Sequence, residues 1–247
     1  MKLTFLGTSH GVPAADRYTS CYLLEAGGNL YIFDAGAPVT DLLLRRGEDL
    51  KRVKAFFNSH CHADHLHGGI AFLALCNWFF TDTNLDALLP DQVAKNLVEQ
   101  NAWASDDGPI SDGRVLLQVM EPGVVFDDGV IKVTAIPVEH ARNNGKRSYG
   151  FCIEGDGKRL LYTGDLSGGL AKGDFPQVAL ESRFDLILTE CAHFSVAALE
   201  AYMSKVDTHY FAVSHIWPPE KFGQLEALRG KYPFELLIPN DGDELQL

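Results

Sequence analysis

Ten residues, Ser59 to Gly68 (SHCHADHLHG), hold four of the chain's nine histidines and an aspartate. His60 and His62 stand two apart, so at the end of an extended strand their side chains leave on the same face. Asp64 and His65 follow at a strand-to-helix turn, where a second pair can face the same cavity. One loop histidine is ordinarily just a solvated polar residue, but four within eight positions need another explanation. Imidazoles with a carboxylate suit zinc, or another late first-row divalent ion, better than calcium or magnesium.

One stretch does not complete a site for two ions, and the rest of the chain offers further ligand types at apolar strand ends. His140 ends VIKVTAIPVEH, Asp165 ends RLLYTGD and His215 ends HYFAVSH. Each alone reads as a cap or turn residue. Together they stand at C-terminal strand edges, where α/β architectures assemble their sites.

The elements that must position these residues follow from pattern. KLTFLG, CYLLEAG and NLYIFDAG are short β-rich runs, and Gly27-Gly28-Asn29 between the last two signals a hairpin. VTDLLLRRG predicts a helix closed by Gly47, VKAFFNSH a strand delivering the histidines, and HLHGGIAFLALCNWFF a helix starting among them. The stretch from Thr81 to Gly113 predicts one helix, PDQVAKNLVEQNAWA, with loops on either side. Strands RVLLQVM, GVIKVTAIPVEH, SYGFCIEG and KRLLYTGD come next, then FDLILTEC, THYFAVSH and FELLIP alternating with two helices. With no repeat, linker or low-complexity tract, residues 1–247 read as one α/β domain of two mixed sheets packed face to face, helices outside.

At 46% hydrophobic and 22% charged residues, the composition is that of a folded globular domain. No apolar run reaches the roughly 20 residues that span a bilayer. The opening MKLTFLGTSHG reads as a strand rather than a signal peptide, so a cytoplasmic protein without a membrane partner is expected. Five cysteines without a C-x-x-C pair agree with a reducing compartment. The formal charge of −12 repels polyanions, so long nucleic acid is not an expected partner. Composition leaves the oligomeric state open, a homodimer included.

SHCHADHLHG, PVEH, YTGD and VSHIWP, in that order, resemble the metallo-β-lactamase superfamily over nearly the whole chain. The resemblance implies a four-layer αββα sandwich with the site at one edge of both sheets. It implies His60, His62 and His140 on one metal ion, Asp64, His65 and His215 on a second, and Asp165 bridging them. The opening LGTSHGVPAADR and the FDAG at Phe33 to Gly36 are similar to the ribonuclease Z branch and related phosphodiesterase-like proteins. On that likeness Asp34 hydrogen-bonds behind the metal loop. Two departures stand out. The branch's long arm for gripping transfer RNA has no room here, since only 24 residues separate His140 from Asp165. The branch's His-Glu pair after the bridging aspartate is replaced by Glu190 followed by His193.

The implied function is a dinuclear hydrolase with two divalent ions, zinc first and manganese or iron as alternatives. A hydroxide bridging them would attack a small anionic substrate, a phosphodiester or nucleotide-like molecule. Asp165 would orient the hydroxide, Asp64 would be ligand and proton acceptor, and His193 the acid for the leaving group. Hydrolysis of a carboxylic ester, thioester or lactone at the same metals is the rival reaction, and a non-catalytic metal-binding sensor or structural protein the rival class. Arg142, Lys146 and Arg147 form either an anion clamp or a solvated hairpin tip. His10 either lines the pocket or is solvated. His67 and His209 are expected not to be ligands, Cys61 to be packed and Trp78 to be helix core. Trp103, like the 81–113 segment around it, is left open between core and lid.

Overall fold

Gly27 and Gly28 both take positive φ, 55° and 81°, as a two-residue hairpin turn demands. They join β2 (Cys21–Ala26) to β3 (Asn29–Ala35). The computed structural model describes residues 1–12, 14–102, 114–141, 146–170 and 173–247. The hairpin belongs to a seven-stranded sheet that also contains β1 (Lys2–Gly7), β4 (Val53–Phe57), β5 (Leu85–Leu89), β6 (Val115–Val119) and β14 (Glu244–Gln246). Its order is β14-β1-β2-β3-β4-β5-β6, parallel from β3 to β6.

The second seven-stranded sheet comprises β7 (Gly123–Asp127), β8 (Ile131–Pro137), β9 (Tyr149–Gly155), β10 (Lys158–Tyr162), β11 (Phe184–Cys191), β12 (Thr208–Ile216) and β13 (Glu235–Leu237). It runs β13-β12-β11-β10-β9-β8-β7, with β10 to β13 parallel. Helices α1 (Val39–Arg45), α2 (Ala63–Trp78) and α3 (Gln92–Ala102) cover the first sheet, and α4 (Val178–Glu181), α5 (Val196–Met203) and α6 (Glu220–Glu226) the second. The expected α/β four-layer arrangement of two mixed sheets with flanking helices is what the chain forms.

The strands are apolar on both faces because both faces are covered. In β3, Tyr31 and Phe33 enter the cluster between the sheets while Leu30 and Ile32 enter the one beneath α1 to α3. Phe33 and Phe57 stack at 4.7 Å between ring centres within the inter-sheet core. A third cluster, with Phe184, Leu199 and Phe211, lies beneath the helices of the second sheet.

Two glycines set how closely α2 approaches the end of β3. A Cβ on Gly36 would stand 1.8 Å from the Asp64 carbonyl oxygen, and one on Gly68 1.7 Å from that of Ala37. Gly36→Ala is therefore expected to push the first turn of α2 outward, costing about 3 kcal/mol and weakening metal binding by displacing Asp64, one of the ligands expected from the sequence. Urea denaturation alongside a metal titration checks it, and a variant as stable and as metal-avid as the parent would refute it.

Several expectations change. The middle stretch contains a strand, β5, ahead of its helix; β7 and β14 are also strands that the pattern did not reveal. β8 ends at Pro137 and β10 at Tyr162, so His140 and Asp165 lie in the following loops, while His215 lies inside β12. Trp78 ends α2 and is 37% exposed, so it is not core, because it falls on the face of the helix opposite the buried Phe72, Leu73 and Cys76. Ala94 and Val98 of α3 are buried under the first sheet, which makes the described part of the middle segment core rather than lid. Residues 103–113, with Trp103, lie outside the described residues. Among the described residues no helix is long and apolar enough to cross a membrane.

Candidate metal centre

The centre forms where loops from both sheets meet. β4 runs into Asn58, Ser59 and His60, all fully buried, and the Ser59 carbonyl accepts from the Tyr149 amide of the second sheet at 3.0 Å. His62 then takes an extended conformation as the residue before α2, whose first turn presents Asp64 and His65. His140, Asp165 and His215 arrive from the second sheet. Asp34 and His215 both have positive φ, 53° and 50°. Non-glycine residues rarely adopt this conformation, and they hold it only when the surroundings over-determine it.

The ligand atoms converge. His62 Nδ1 lies 3.0 Å from His60 Nε2 and 3.2 Å from His140 Nε2. Asp165 Oδ2 lies 3.4 Å from the Nε2 atoms of His65 and His215, 3.7 Å from that of His140 and 3.8 Å from that of His60. Asp64 Oδ2 stands 3.5 Å from His65 Nε2 and 3.9 Å from His215 Nε2. The atoms form the groups His60–His62–His140 and Asp64–His65–His215, and Asp165 makes two more, with His60 and His65 and with His140 and His193. His67 and His209 are exposed and join none of these groups, and Cys61 packs half-buried against the cluster beneath α1 to α3.

Hydrogen bonds behind the ligands decide which nitrogen carries a proton. Asp34, fully buried, accepts from the Ser59 amide at 2.7 Å and Asn58 Nδ2 at 3.1 Å on one oxygen. Its other oxygen accepts from Ser59 Oγ (2.7 Å), Tyr162 Oη (2.6 Å) and His65 Nδ1 (2.8 Å). A carboxylate only accepts, so His65 keeps its proton on Nδ1 and presents a bare lone pair at Nε2. Because Ser59 donates to Asp34, its oxygen must accept from His60 Nδ1 at 3.0 Å, which leaves His60 Nε2 bare as well. His140 Nδ1 donates to the Leu166 carbonyl at 3.0 Å, with the same consequence. Carboxylate and carbonyl partners of this kind are how metal-bound histidines are oriented.

The donor set fits a metal. His65 Nε2 is buried without a hydrogen-bond partner, and it faces the carboxylates of Asp165 and Asp64. Lone pairs facing carboxylate oxygens repel unless a cation stands among them. Ligand atoms about 2.1 Å from one zinc ion at tetrahedral angles lie about 3.4 Å apart, close to the separations found. Burial opposes a charged His65, but the Asp165 and Asp34 carboxylates outweigh it and raise its pKa well above the usual value; without a metal ion their charge draws a proton onto Nε2, and a bound ion would take that proton's place. Burial, reinforced by the other imidazoles, holds His60 and His62 below the usual histidine range, and burial lowers His215 too.

His193 stands at the rim, its ring centre 4.6 Å from that of His140 and its Nδ1 3.9 Å from Asp165 Oδ2. Its Nδ1 donates to both oxygens of the buried Glu190, at 2.8 and 2.9 Å. Burial works against the imidazolium, yet the hydrogen bond and charge of Glu190 prevail and raise its pKa. Glu190 also accepts from the amides of Leu166, Ala192 and His193, which ties the Asp165 loop to the His193 loop. His10 does border the site: its ring lies 5.1 Å from that of His215 and stacks on Trp217, 40% exposed, at 5.4 Å.

The basic trio is less well placed. Arg147 pairs with Glu121 at 2.6 Å and reaches the Met120 carbonyl. With Lys146 it lines a cavity of about 360 Å³ bounded by Glu121, Pro122 and Pro137, which none of the candidate ligands borders. Arg142 lies outside the described residues. Sequence reasoning missed Asn58, Ser59, Tyr162 and Ser20, the last 2.9 Å from His215 Nδ1. Ser59 and Tyr162 are the first residues of the quoted SHCHADHLHG and YTGD, and that position was the available signal.

Fold and centre together define a chain of the metallo-β-lactamase superfamily, of its ribonuclease Z-like branch. Within it the chain belongs to the family described as anti-Pycsar protein Apyc1, whose model matches residues 1–210. Ribonuclease Z of Thermosynechococcus vestitus is 30% identical over 142 residues, covering 57% of this chain and 34% of that protein. The metallo-β-lactamase-fold protein YhfI of Bacillus subtilis superposes with a TM-score of 0.78 at 18% identity, covering 99% of this chain and 98% of that one. The short form of human tRNase Z gives 0.74 at 17%, covering 100% and 99%. The matches span 34% to 49% of the length of the first curated relatives. Kinship with proteins named for acting on RNA gives no support to excluding long nucleic acid as a partner.

Proposed function

We propose that the chain is a metal-dependent hydrolase that cleaves a small phosphodiester or nucleotide-like substrate. The observation that carries this reading is the buried, unpartnered His65 Nε2 amid ligand atoms that meet at Asp165. His60, His62 and His140 would hold one divalent ion and Asp64, His65 and His215 a second, shared through Asp165. When bound, such ions supply Lewis acidity toward the substrate's phosphoryl oxygens and acidify water near neutral pH.

The chain's own residues supply the remainder. Asp34, directly and through Ser59, keeps His65 and His60 in the metal-binding tautomer. Asp64, in the first turn of α2 and only partly buried, can take up the proton of the attacking water. His193, its Nδ1–H anchored on Glu190, keeps Nε2 for passing a proton to the leaving oxygen. The Trp217–His10 stack borders the same opening.

Metal analysis followed by a substrate panel tests the proposal. Zinc-, manganese- and iron-loaded protein would each be assayed on bis(p-nitrophenyl) phosphate, a dinucleoside phosphate, a lactone, a thioester and a transfer-RNA precursor. Turnover of the small phosphodiesters, abolished by chelator and restored by metal, is expected. Turnover confined to the lactone or thioester would move the chain to acyl chemistry, and confined to the RNA, to nucleic-acid processing. Metal binding without any turnover would leave a binding protein.

A further inference from the structure

Lys221 stands in the first turn of α6, and the side chains of the metal cluster do not account for it. Its half-buried ammonium donates to the carbonyls of Cys191 at 2.9 Å, Ala192 at 3.0 Å and Phe194 at 2.6 Å, which uses all three of its protons. The carbonyl between them, that of His193, accepts from the Gly169 amide at 2.9 Å. From the other side, Glu190 accepts from the Ala192 and His193 amides at 2.8 and 3.0 Å. The segment carrying His193 is thus gripped by a cation on its carbonyls and a carboxylate on its amides. Such charge-assisted bonds are the stronger kind, and their geometry dictates where the imidazole points.

We infer that Lys221 is a positioning residue: it holds the Cys191–Phe194 segment so that His193 stays on Glu190 and faces the cluster. Lys221 lies beyond the residues matched by the family model, which end at 210. The inference rests on reading His193 as the proton donor to the leaving oxygen, and the test separates failure of one from failure of the other.

Lys221→Met removes the donors but keeps the length. With metal content and fold unchanged, the variant is expected to lower kcat on a dinucleoside phosphate by about tenfold at constant KM. Turnover of bis(p-nitrophenyl) phosphate, whose leaving group needs no proton, should change less than about threefold. His193→Ala should show the same split, larger, and the double variant should be no slower than His193→Ala alone. Proton NMR gives a readout independent of turnover. The parent should show a low-field His193 Nδ1–H resonance, assigned by its loss in His193→Ala, and Lys221→Met should lose it to exchange. Should the Met variant not fold, Lys221→Arg, with a wider head that cannot reach all three carbonyls, is expected to show a weaker form of both effects. Equal slowing of both substrates, or an undisturbed resonance with unchanged rates, overturns the inference. If the parent hydrolyses neither ester, the proposed function falls, while the resonance still decides whether Lys221 positions His193.

Discussion

Asp165→Asn is expected to leave a folded protein with activity down by at least about 10³-fold and metal affinity down by more than about 100-fold. The magnitude follows from position. Partners one shell behind a metal ligand are worth about 10–100-fold in affinity, and Asp165 Oδ2 lies within 3.9 Å of five imidazoles, those of His60, His65, His140, His193 and His215. The amide has the carboxylate's shape without its charge, and its NH₂ could not be shared between the two ions of the proposed centre. Burial resists ionisation of Asp165, but His215 and His65 hold its pKa well below the carboxylate range, so the charge lost is one the native site carries. Unfolding scans with and without chelator provide a second check, because a metal that binds only the folded state raises its stability. The parent's transition should fall on chelation and the variant's should not move. A variant that still loses stability on chelation would show that the ions are held without Asp165.

Asp34→Asn is expected to destabilise the protein by about 3 kcal/mol and to weaken metal binding by about 10–100-fold, although Asp34 lies in none of the ligand groups. Its φ of 53° is one that asparagine tolerates well, so the backbone does not confound the result. The loss arises at the oxygen that accepts from Ser59, Tyr162 and His65 at 2.6–2.8 Å. If the amide keeps its oxygen toward the Ser59 amide and Asn58, its NH₂ confronts those three donors. If it flips, the other two lose their acceptor. In the first case His65 and, through Ser59, His60 are freed to move the proton to Nε2, where it competes with the metal. Urea denaturation of the metal-free protein and a metal titration against a competing chelator measure the two effects separately. Unchanged affinity beside lowered stability would reduce Asp34 to a structural role.

The most legible part of the centre was the part made of neighbours. β4 ends at Phe57, so His60 and His62 lie in the loop beyond the strand that was expected to carry them, whereas the turn that brings in Asp64 and His65 is a short-range consequence of helix geometry. The same holds for the hairpin at Gly27 and Gly28 and for the apolar strands, whose two-sided burial required two sheets with helices outside. Where the pattern misled, tertiary context had overridden it. LDALL, five residues long and adjoining a helix, carries little signal of its own, yet it is pinned as a parallel strand between β4 and β6. ARNNGKRSYG left an anion clamp and a solvated hairpin tip open by charge alone, and the structure adds that Arg147 pairs with Glu121.

The sequence by itself determined the ligand types, the class of metal they suit and the layered α/β architecture, because each is written in local spacing and in one-dimensional apolar pattern. Only the tertiary structure decided which nitrogen of His60, His65 and His140 is turned to the cluster, since that depends on Asp34 meeting His65 and Ser59 and on His140 meeting the Leu166 carbonyl. It alone decided that Lys221 and Glu190 grip the His193 segment from opposite sides. Hydrogen bonds between distant segments leave no periodicity in a sequence, and those bonds set the aim of His60, His65, His140 and His193.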